Sequence, residues 1–348
     1  MNYGFGIIGL GLVADFHARA IKEMKGGRLI ACVSKNKDKA TTFAKKFNCQ
    51  ACYSLEEFFS HPDLDIVNIC TPSGAHLEPA IIAAEAGKHL IIEKPLEINL
   101  QRCDKIINVC EKNAVKLSGI FQSRFFPLSR IIKNAIKQDR FGQLVLCDAY
   151  VKWQRDQAYY DDGVWHGTKH LDGGGALMNQ SIHAIDLLYY FAGDIIEISG
   201  YVNTIGHKRI EVEDNAVAIL KFKNGALGVI EGSTSVYPGF LKRIEISGTK
   251  GSAIMEEETL KNWDFRKETK GDKEIIQEFM SGNTTGGGAS DPRSISYQGH
   301  KKQFEDMVEA INKNRQPLVD GNEARKSVEI VLAIYQSARE RKAVHLPY

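Results

Sequence analysis

Residues 3–20, YGFGIIGLGLVADFHARA, decide the fold of the first part of the chain. An apolar run leads into GLGLVA at 9–14, and a helical pattern follows. Gly9 permits a tight turn, Gly11 lets the backbone approach a pyrophosphate, and Ala14 lets the helix pack closely on the strand. The helix N-terminus then offers N–H groups to phosphates. An ordinary strand–helix turn is the alternative, but the order of strand, glycines and helix favours a dinucleotide-binding Rossmann unit.

Composition and charge limit the class of protein. The chain has 348 residues, of which 43% are hydrophobic and 25% charged, with a formal net charge of +2. These values are ordinary for a globular protein of two domains, and they favour neither nucleic acid nor a membrane as partner. The seven cysteines are odd in number and scattered, which is typical of free thiols in a reducing compartment. We therefore expect a cytoplasmic protein.

Two pairs of residues have spacings that occur in metal sites. Cys49 and Cys52 form a C-x-x-C pair, and His166 and His170 are four residues apart. No second pair lies near the cysteines, and Gly167 argues against a helix that would bring the two histidines together. We therefore predict no metal site.

The end of the second strand-like run, at 28–33, bears on the choice of cofactor. In a Rossmann unit the residue that follows this strand meets the adenosine ribose, and an acid there favours NAD. This chain has Ser34 and Lys35 instead. A hydroxyl and a lysine suit a 2′-phosphate better, so NADP is favoured over NAD. The alternative is that the lysine simply begins a solvated helix.

Polar residues also follow the third strand-like run, at 66–70. Thr71 and Pro72 stop the strand, and His76 opens the next helix. These residues should lie at the carboxyl edge of the sheet, where ligands bind in doubly wound folds. His76 is either a surface histidine of the first helical turn or a cofactor contact.

Another short apolar strand, at 89–92, delivers Glu93, Lys94 and Pro95 to the same edge. Lys94 is either solvated or functional. A desolvated lysine can donate a hydrogen bond to a substrate hydroxyl and stabilise the alkoxide that hydride transfer needs.

Near Gln122 the alternation of strands and helices ends. We therefore predict an α/β Rossmann domain at 1–122 and a second α/β domain at 123–348. Successive strand-like runs with short connections predict a largely antiparallel sheet that is open on one face, and such a face favours a homo-oligomer. The segment 281–296, rich in Gly, Ser and Thr, predicts a loop or lid. Strands are predicted at 144–153, 195–204, 216–222, 226–235, 241–247 and 259–265.

A glycine run at 173–175 precedes a helical pattern that extends to residue 191. Asn179 and His183 are four apart, on one face of the predicted helix. Asp186 lies a further turn along that face and can orient the imidazole. His183 is therefore either a general base or a histidine satisfied within the core.

With GLGLVA, Thr71-Pro72, Glu93-Lys94-Pro95 and Asn179…His183 in this order, the chain resembles the glucose–fructose oxidoreductase / inositol dehydrogenase (Gfo/Idh/MocA) family over nearly its whole length. The resemblance implies a Rossmann domain, then an α/β domain whose open sheet mediates oligomerisation, as a homodimer or homotetramer. It also implies oxidation or reduction of one carbon of a sugar or cyclitol with NAD(H) or NADP(H). Lys94 and His183 correspond to the catalytic pair. Many members carry Asp four before the histidine, so Asn179 is expected to bind a hydroxyl rather than to form a carboxylate relay.

The stretches Tyr159-Tyr160, Trp165-His166-Gly167-Thr168 and Gly174–Gln180 are most similar to the nucleotide-sugar 3-dehydrogenase branch, which acts on UDP-N-acetylglucosaminuronate. This similarity adds Tyr160 and Trp165 to Asn179 as expected substrate-binding residues. The segment IEVED at 210–214 fits the same branch, whereas the segment at Ser34 is more similar to NADP-binding members.

The expected activity is hydride transfer between a nicotinamide and a secondary alcohol or ketone of a sugar, nucleotide sugar or cyclitol. Two alternatives remain open. One is glycoside hydrolysis by transient oxidation at C3 with a recycled cofactor, and the other is a non-catalytic, ligand-sensing regulator, which the presence of both Lys94 and His183 disfavours. The residues expected to bind the cofactor are Gly9, Leu10, Gly11, Val13, Ser34, Lys35, Thr71, Pro72, His76, Glu93, Lys94 and Gln122.

Overall fold

The structure is a computed structural model and describes residues 2–161, 165–280 and 296–347. The loop or lid predicted at 281–296 lies outside the described residues, except for its last residue. Within the described ranges, no helix is both long and apolar enough to cross a membrane.

The chain folds as two compact units, each made of two segments. The first unit combines Met1–Gln122 with Ser296–Val328. The second combines Ser123–Ile295 with Glu329–Tyr348.

The first unit is built on a six-stranded sheet. Its strands are β1 (Tyr3–Ile8), β2 (Gly27–Val33), β3 (Gln50–Cys52), β4 (Ile66–Ile69), β5 (His89–Ile92) and β6 (Leu117–Gly119). Their order in the sheet is β3-β2-β1-β4-β5-β6, and neighbouring strands are parallel. The predicted Rossmann sheet is therefore confirmed. The strand order changes direction at β1 and β4, and ligands bind at the carboxyl edge of such a switch point.

Helices cover this sheet. They are α1 (Leu12–Glu23), α2 (Lys37–Phe47), α3 (Leu55–Phe59), α4 (Leu77–Glu85) and α5 (Leu100–Lys112). The face of α1 that packs on the sheet carries the small residues Ala14 and Ala18 beside Ile21, all fully buried. These small side chains bring the helix close to the sheet behind the glycine turn.

The second unit contains an eight-stranded mixed sheet. Its strands are β7 (Leu144–Lys152), β8 (Ile195–Asn203), β9 (Asn215–Phe222), β10 (Leu227–Ser233), β11 (Arg243–Gly248), β12 (Gly251–Glu256), β13 (Thr259–Phe265) and β14 (Val344–His345). Their order is β13-β12-β11-β7-β10-β9-β8-β14. Pair β7–β10 is parallel, and the other described pairs are antiparallel. The predicted, largely antiparallel sheet is thus confirmed.

Among the described residues of this unit, one helix precedes the first of these strands and three lie between strands in the chain. They are α6 (Pro127–Lys137), α7 (Gln157–Asp161), α8 (Ile182–Ala192) and α9 (Lys270–Met280). The residues just before α8, Ala176–Ser181, wind as a π-helix rather than as an α-helix.

The last two helices of the chain are α10 (Gln298–Asn312) and α11 (Gly321–Glu340). Helix α10 packs on α1, and its apolar residues Phe304 and Met307 belong to the core of the first unit. The division predicted from the sequence assigned all of 123–348 to the second domain. The structure groups Ser296–Val328 with the Rossmann sheet instead, because the apolar stripe of α10 is buried there.

Candidate active site

The glycine turn between β1 and α1 has the geometry that the sequence predicts. Gly9 has a φ of +89°, and a Cβ on it would lie 2.7 Å from the carbonyl oxygen of Cys70. At Gly11, in contrast, no heavy atom of the described residues lies within 4 Å of the place a Cβ would take. Helix α1 begins directly after Gly11, and no described side chain caps its N-terminus. The first N–H groups of α1 are therefore available to an anion.

The end of β2 lies beside this turn, since Val33 pairs with Ile8 and accepts a hydrogen bond from the Gly9 N–H. Ser34 is half-buried there, and Lys35 is exposed. The structure thus brings both predicted ribose-side residues to the glycine turn. The Ser34 hydroxyl accepts the backbone N–H of Asn36 at 3.2 Å.

The carboxyl ends of β4 and β5 complete this edge. Ile69 pairs with Ile92, so Thr71 and Pro72 after β4 and Glu93 and Lys94 after β5 emerge at neighbouring positions. The sequence predicted this grouping because parallel strands present their carboxyl ends at one edge of a sheet.

His76 is fully buried, so the alternative of a surface histidine is wrong. Its Nε2 lies 3.0 Å from the carbonyl oxygen of Thr71, and its Nδ1 lies 3.1 Å from that of Pro95. Burial lowers the pKa of His76, while the nearby carboxylate of Glu97 and the carbonyl oxygens of Thr71 and Leu96 oppose that shift. His76 therefore links the loop after β4 to the loop after β5.

In the second unit, the glycine run at 173–175 packs against groups that leave no room for side chains. A Cβ on Gly174 would lie 2.2 Å from the hydroxyl of Tyr335, and one on Gly175 would lie 1.9 Å from the carbonyl oxygen of Glu213. The carboxylate of Glu213 accepts hydrogen bonds from the Tyr335 hydroxyl and from the N–H groups of Gly175 and Leu177. Burial raises the pKa of Glu213, although these donors oppose the rise.

His183 lies half-buried in the first turn of α8, after the π-helix. A π-helix closes its turns with i→i+5 hydrogen bonds, so the four-residue spacing from Asn179 does not by itself define a common face. Both carboxylate oxygens of Asp186, which is expected to orient the imidazole, accept hydrogen bonds from the buried guanidinium of Arg124, at 2.7 and 2.9 Å. Asp186 therefore forms a buried ion pair with Arg124.

Asn179 belongs to a buried polar network that the sequence did not predict. Its Nδ2 donates to Asp172 Oδ1 at 2.5 Å, and its Oδ1 accepts from Gln180 at 3.2 Å. The Gln180 amide also donates to the Tyr159 hydroxyl and accepts from Arg155, both at 2.9 Å. Burial is the main cause that raises the pKa of Tyr159, and Arg155 opposes the rise.

The aromatic residues expected to bind substrate divide into two groups. The ring centres of Trp165 and His166 are 4.0 Å apart, and those of His166 and Tyr159 are 4.4 Å apart. Tyr160 is buried, and its hydroxyl forms a hydrogen bond with Thr234 Oγ1 at 2.9 Å. Tyr159, rather than Tyr160, thus joins the polar network at Asn179. The only signal for Tyr159 in the sequence was its position in the Tyr159-Tyr160 pair.

Comparison with known protein families adds to this geometry. A family model described as "Oxidoreductase family, NAD-binding Rossmann fold" matches residues 3–121, and one described as "GFO/IDH/MocA C-terminal domain" matches residues 129–254. Together the two models cover well over half of the chain. The chain belongs to the GFO/IDH/MocA family of oxidoreductases.

Three dehydrogenases match this chain over nearly its full length. The myo-inositol 2-dehydrogenase of Thermotoga maritima is 26% identical, over 98% of each chain. The WlbA dehydrogenase of Bordetella pertussis, solved with NADH and UDP-GlcNAcA, is 28% identical with a TM-score of 0.88, over 100% of both chains. The WlbA dehydrogenase of Chromobacterium violaceum, solved with the same two ligands, is 29% identical with a TM-score of 0.88, over 99% of this chain and 96% of the other.

The residues of this GFO/IDH/MocA chain fit a nicotinamide dinucleotide. The open space at Gly11 and the uncapped start of α1 suit a pyrophosphate. In addition, the side-chain oxygen of Gln122 is buried without a hydrogen-bond partner among the described residues. The chain is thus an NAD-binding oxidoreductase, and its glycine turn and the ends of β2, β4 and β5 lie at the carboxyl edge of its Rossmann sheet.

Proposed function

We propose that the chain transfers a hydride between a nicotinamide and a secondary alcohol of a sugar or cyclitol, and that its substrate is a nucleotide sugar. The observation that carries the substrate class is the second unit's aromatic stack of Trp165, His166 and Tyr159 beside the polar network of Asn179. Flat aromatic surfaces beside amide and guanidinium groups suit a base or sugar ring with polar substituents. The two WlbA enzymes, which bind UDP-GlcNAcA, lend further support.

The proposed mechanism assigns separate tasks to the two units. When bound, the nicotinamide accepts the hydride from the reacting carbon or returns it. Lys94, which follows β5, donates a hydrogen bond to the substrate oxygen and stabilises its negative charge as the alkoxide develops. His183 accepts the hydroxyl proton as general base. We assign Asn179 to a neighbouring substrate hydroxyl, with its amide oriented by Asp172.

The cofactor preference remains part of the proposal. Ser34 stands at the end of β2, where an acid would select NAD. Lys35 and Lys37 are exposed beside it, and Lys37 lies 5.6 Å from the ring centre of Tyr53. Two exposed lysines without an acid at 34 favour the 2′-phosphate of NADP.

The test is a comparison of substrates under identical conditions. Nicotinamide reduction is followed by absorbance with UDP-GlcNAcA, with UDP-GlcNAc, which lacks the carboxylate, and with myo-inositol. We expect turnover with UDP-GlcNAcA to exceed that with the other two. Turnover of myo-inositol alone would contradict a nucleotide-sugar substrate and indicate a cyclitol substrate instead. Glycoside cleavage without net change in nicotinamide absorbance would favour hydrolysis by transient oxidation, and binding without any conversion would favour a sensor.

A further inference from the structure

Three titratable side chains from separate parts of the first unit meet in its core. His17 lies on α1, Glu93 follows β5, and His300 lies on α10; none is more than 6% exposed. His17 Nε2 lies 2.7 Å from Glu93 Oε1, and His300 Nε2 lies 3.6 Å from the same oxygen. The rings of Phe16 and Phe304 pack around the two histidines. A carboxylate is therefore enclosed by two imidazoles within an aromatic core.

The hydrogen bonds show which nitrogen of His17 carries the proton. The Asn68 amide donates to His17 Nδ1 at 2.8 Å, so Nε2 carries the proton and donates it to Glu93. Burial lowers the pKa of His17, which keeps the ring neutral. Burial alone would raise the pKa of Glu93, but the contacts with His17 and His300 hold it well below its ordinary value. Glu93 is thus a buried carboxylate.

The same three groups are close enough together to hold a metal ion. The contact between His17 and Glu93 argues against that use. Two ligand atoms of a tetrahedral zinc stand about 3.3 Å apart, given bond lengths of about 2.0 Å. The observed 2.7 Å is the length of a charge-assisted hydrogen bond.

The second oxygen of Glu93 connects the network to Lys94. Glu93 Oε2 accepts the backbone N–H of Lys94 at 3.1 Å. One oxygen of the Glu93 carboxylate therefore contacts His17, and the other contacts the backbone of Lys94. Lys94 is the residue to which we assign stabilisation of the alkoxide charge. We propose that His17 and Glu93, supported by His300, position Lys94 for hydride transfer. This inference rests on the proposed role of Lys94.

A purely structural role would not need this chemistry. A buried carboxylate is costly to desolvate, and apolar side chains of similar size fill a core at least as well. The carboxylate instead restrains the backbone at the position from which the Lys94 side chain extends. A displacement of about 1 Å at a reacting group can lower turnover about 10²-fold.

The experiment uses two substitutions at His17 and one control. His17→Leu preserves volume but removes the donor to Glu93, whereas His17→Gln retains an N–H that can reach it. Met307→Ala is the control, because Met307 is fully buried in the same core on α10 and makes no hydrogen bond in the network. Each variant is assayed for kcat and KM with UDP-GlcNAcA, for the Kd of NADH, for melting temperature and for exchange of the Lys94 amide proton.

We expect His17→Leu to lower kcat about 10²-fold, with KM and the NADH Kd within about threefold of wild type, and to speed exchange of the Lys94 amide. His17→Gln should recover most of kcat. Met307→Ala should lower the melting temperature but leave kcat and Lys94 exchange near wild type. If His17→Leu does not fold, Glu93→Gln replaces it, since a glutamine has one acceptor oxygen and cannot serve both His17 and Lys94.

Two outcomes separate the inference from the proposed function. Normal kcat and unchanged Lys94 exchange in His17→Leu would overturn the positioning role and leave the function intact. Absence of UDP-GlcNAcA turnover by the wild-type enzyme would instead refute the proposed substrate, and amide exchange would still decide the network. A stoichiometric metal in the purified enzyme, lost in His17→Leu, would also overturn the inference.

Discussion

Asn179 donates a hydrogen bond to Asp172, seven residues earlier in the chain, with 2.5 Å between Nδ2 and Oδ1. Both side chains are buried, and the other oxygen of Asp172 accepts the N–H of Gly167 at 2.8 Å. A carboxylate is thus already in contact with the position four before His183, where many GFO/IDH/MocA members carry an aspartate. Asp172 and Asn179 together place one negative charge there.

This relationship predicts that restoring the family's aspartate is harmful here. Asn179→Asp would bring two buried carboxylates into contact, so one must take up a proton or the pair must separate. We expect the variant to melt at a lower temperature at pH 7.5 than wild type, and to regain stability as the pH falls toward 5. The double variant Asn179→Asp with Asp172→Asn exchanges the two groups and should recover. An Asn179→Asp enzyme as stable and active as wild type at pH 7.5 would contradict the prediction.

The catalytic pair makes a second prediction. Loss of a general base, or of a charged donor to a developing oxyanion, typically costs about 10²–10⁴ in rate. We therefore expect Lys94→Ala and His183→Ala each to lose most turnover. His183→Ala should still bind NADH normally, because His183 belongs to the second unit. A structural histidine would instead lower the melting temperature more than the rate, so both are measured on one sample. Near-normal turnover in folded His183→Ala means that the base is another residue.

The sequence predicts the first unit well because its main features depend on residues that are close together in the sequence. The positive φ of Gly9 and the open space at Gly11 are consequences of a turn that six residues specify. Likewise, Thr71 and Lys94 reach one edge because each directly follows a parallel strand. Residue type and position along the strand were sufficient in these cases.

The second unit depends on contacts that are distant in sequence, and there the sequence is a poorer guide. Helical periodicity predicted one continuous helix after the glycine run, but Ala176–Ser181 forms a π-helix. Its N-terminal N–H groups are bound by Glu213, which lies 36 residues after Leu177. Strand β12 was missed because its pairing with β11 and β13, rather than its own residue pattern, defines it. In the first unit, α10 was misassigned for the same reason, since its partner α1 lies near the other end of the chain.

A third prediction concerns the cofactor. Ser34 follows β2 with no acid beside it before Asp38, so NADPH should bind more tightly than NADH. Ser34→Asp would place a carboxylate against the 2′-phosphate and should reverse or abolish the preference. Titration of both cofactors, followed by nicotinamide fluorescence, measures the effect. Tighter NADH binding by the unmodified protein would contradict the prediction. The two WlbA dehydrogenases were solved with NADH, so that outcome would make this chain resemble them in its cofactor.

The exposed face of the second sheet yields a fourth prediction. Leu146, Ile219 and Leu227, on neighbouring strands, are each more than half exposed and lie on one face. Large apolar patches of this kind mark association surfaces, so we expect a homodimer or homotetramer in solution. Ile219→Lys should reduce the mass measured by light scattering. Ile82→Lys is the matched control, because Ile82 is an exposed isoleucine of the first unit. A wild-type mass equal to one chain at micromolar concentration would rule out the association.

The last prediction is that the first unit loses stability on mild acidification. His17 and His76 are fully buried, and burial is the main cause that lowers the pKa of each. Unfolding frees them to bind protons with an ordinary pKa of about 6.5, so the unfolded state is favoured as the pH falls below that value. Each histidine should then reduce the free energy of unfolding by up to about 1.4 kcal/mol per pH unit. The contribution of Glu93, whose pKa is held low, should be lost only in stronger acid. Urea unfolding between pH 7.5 and 5.5 measures how the free energy of unfolding changes with pH. His17→Gln should reduce the number of protons that are taken up on unfolding by about one. An unchanged pH dependence would show that His17 is already protonated in the folded state.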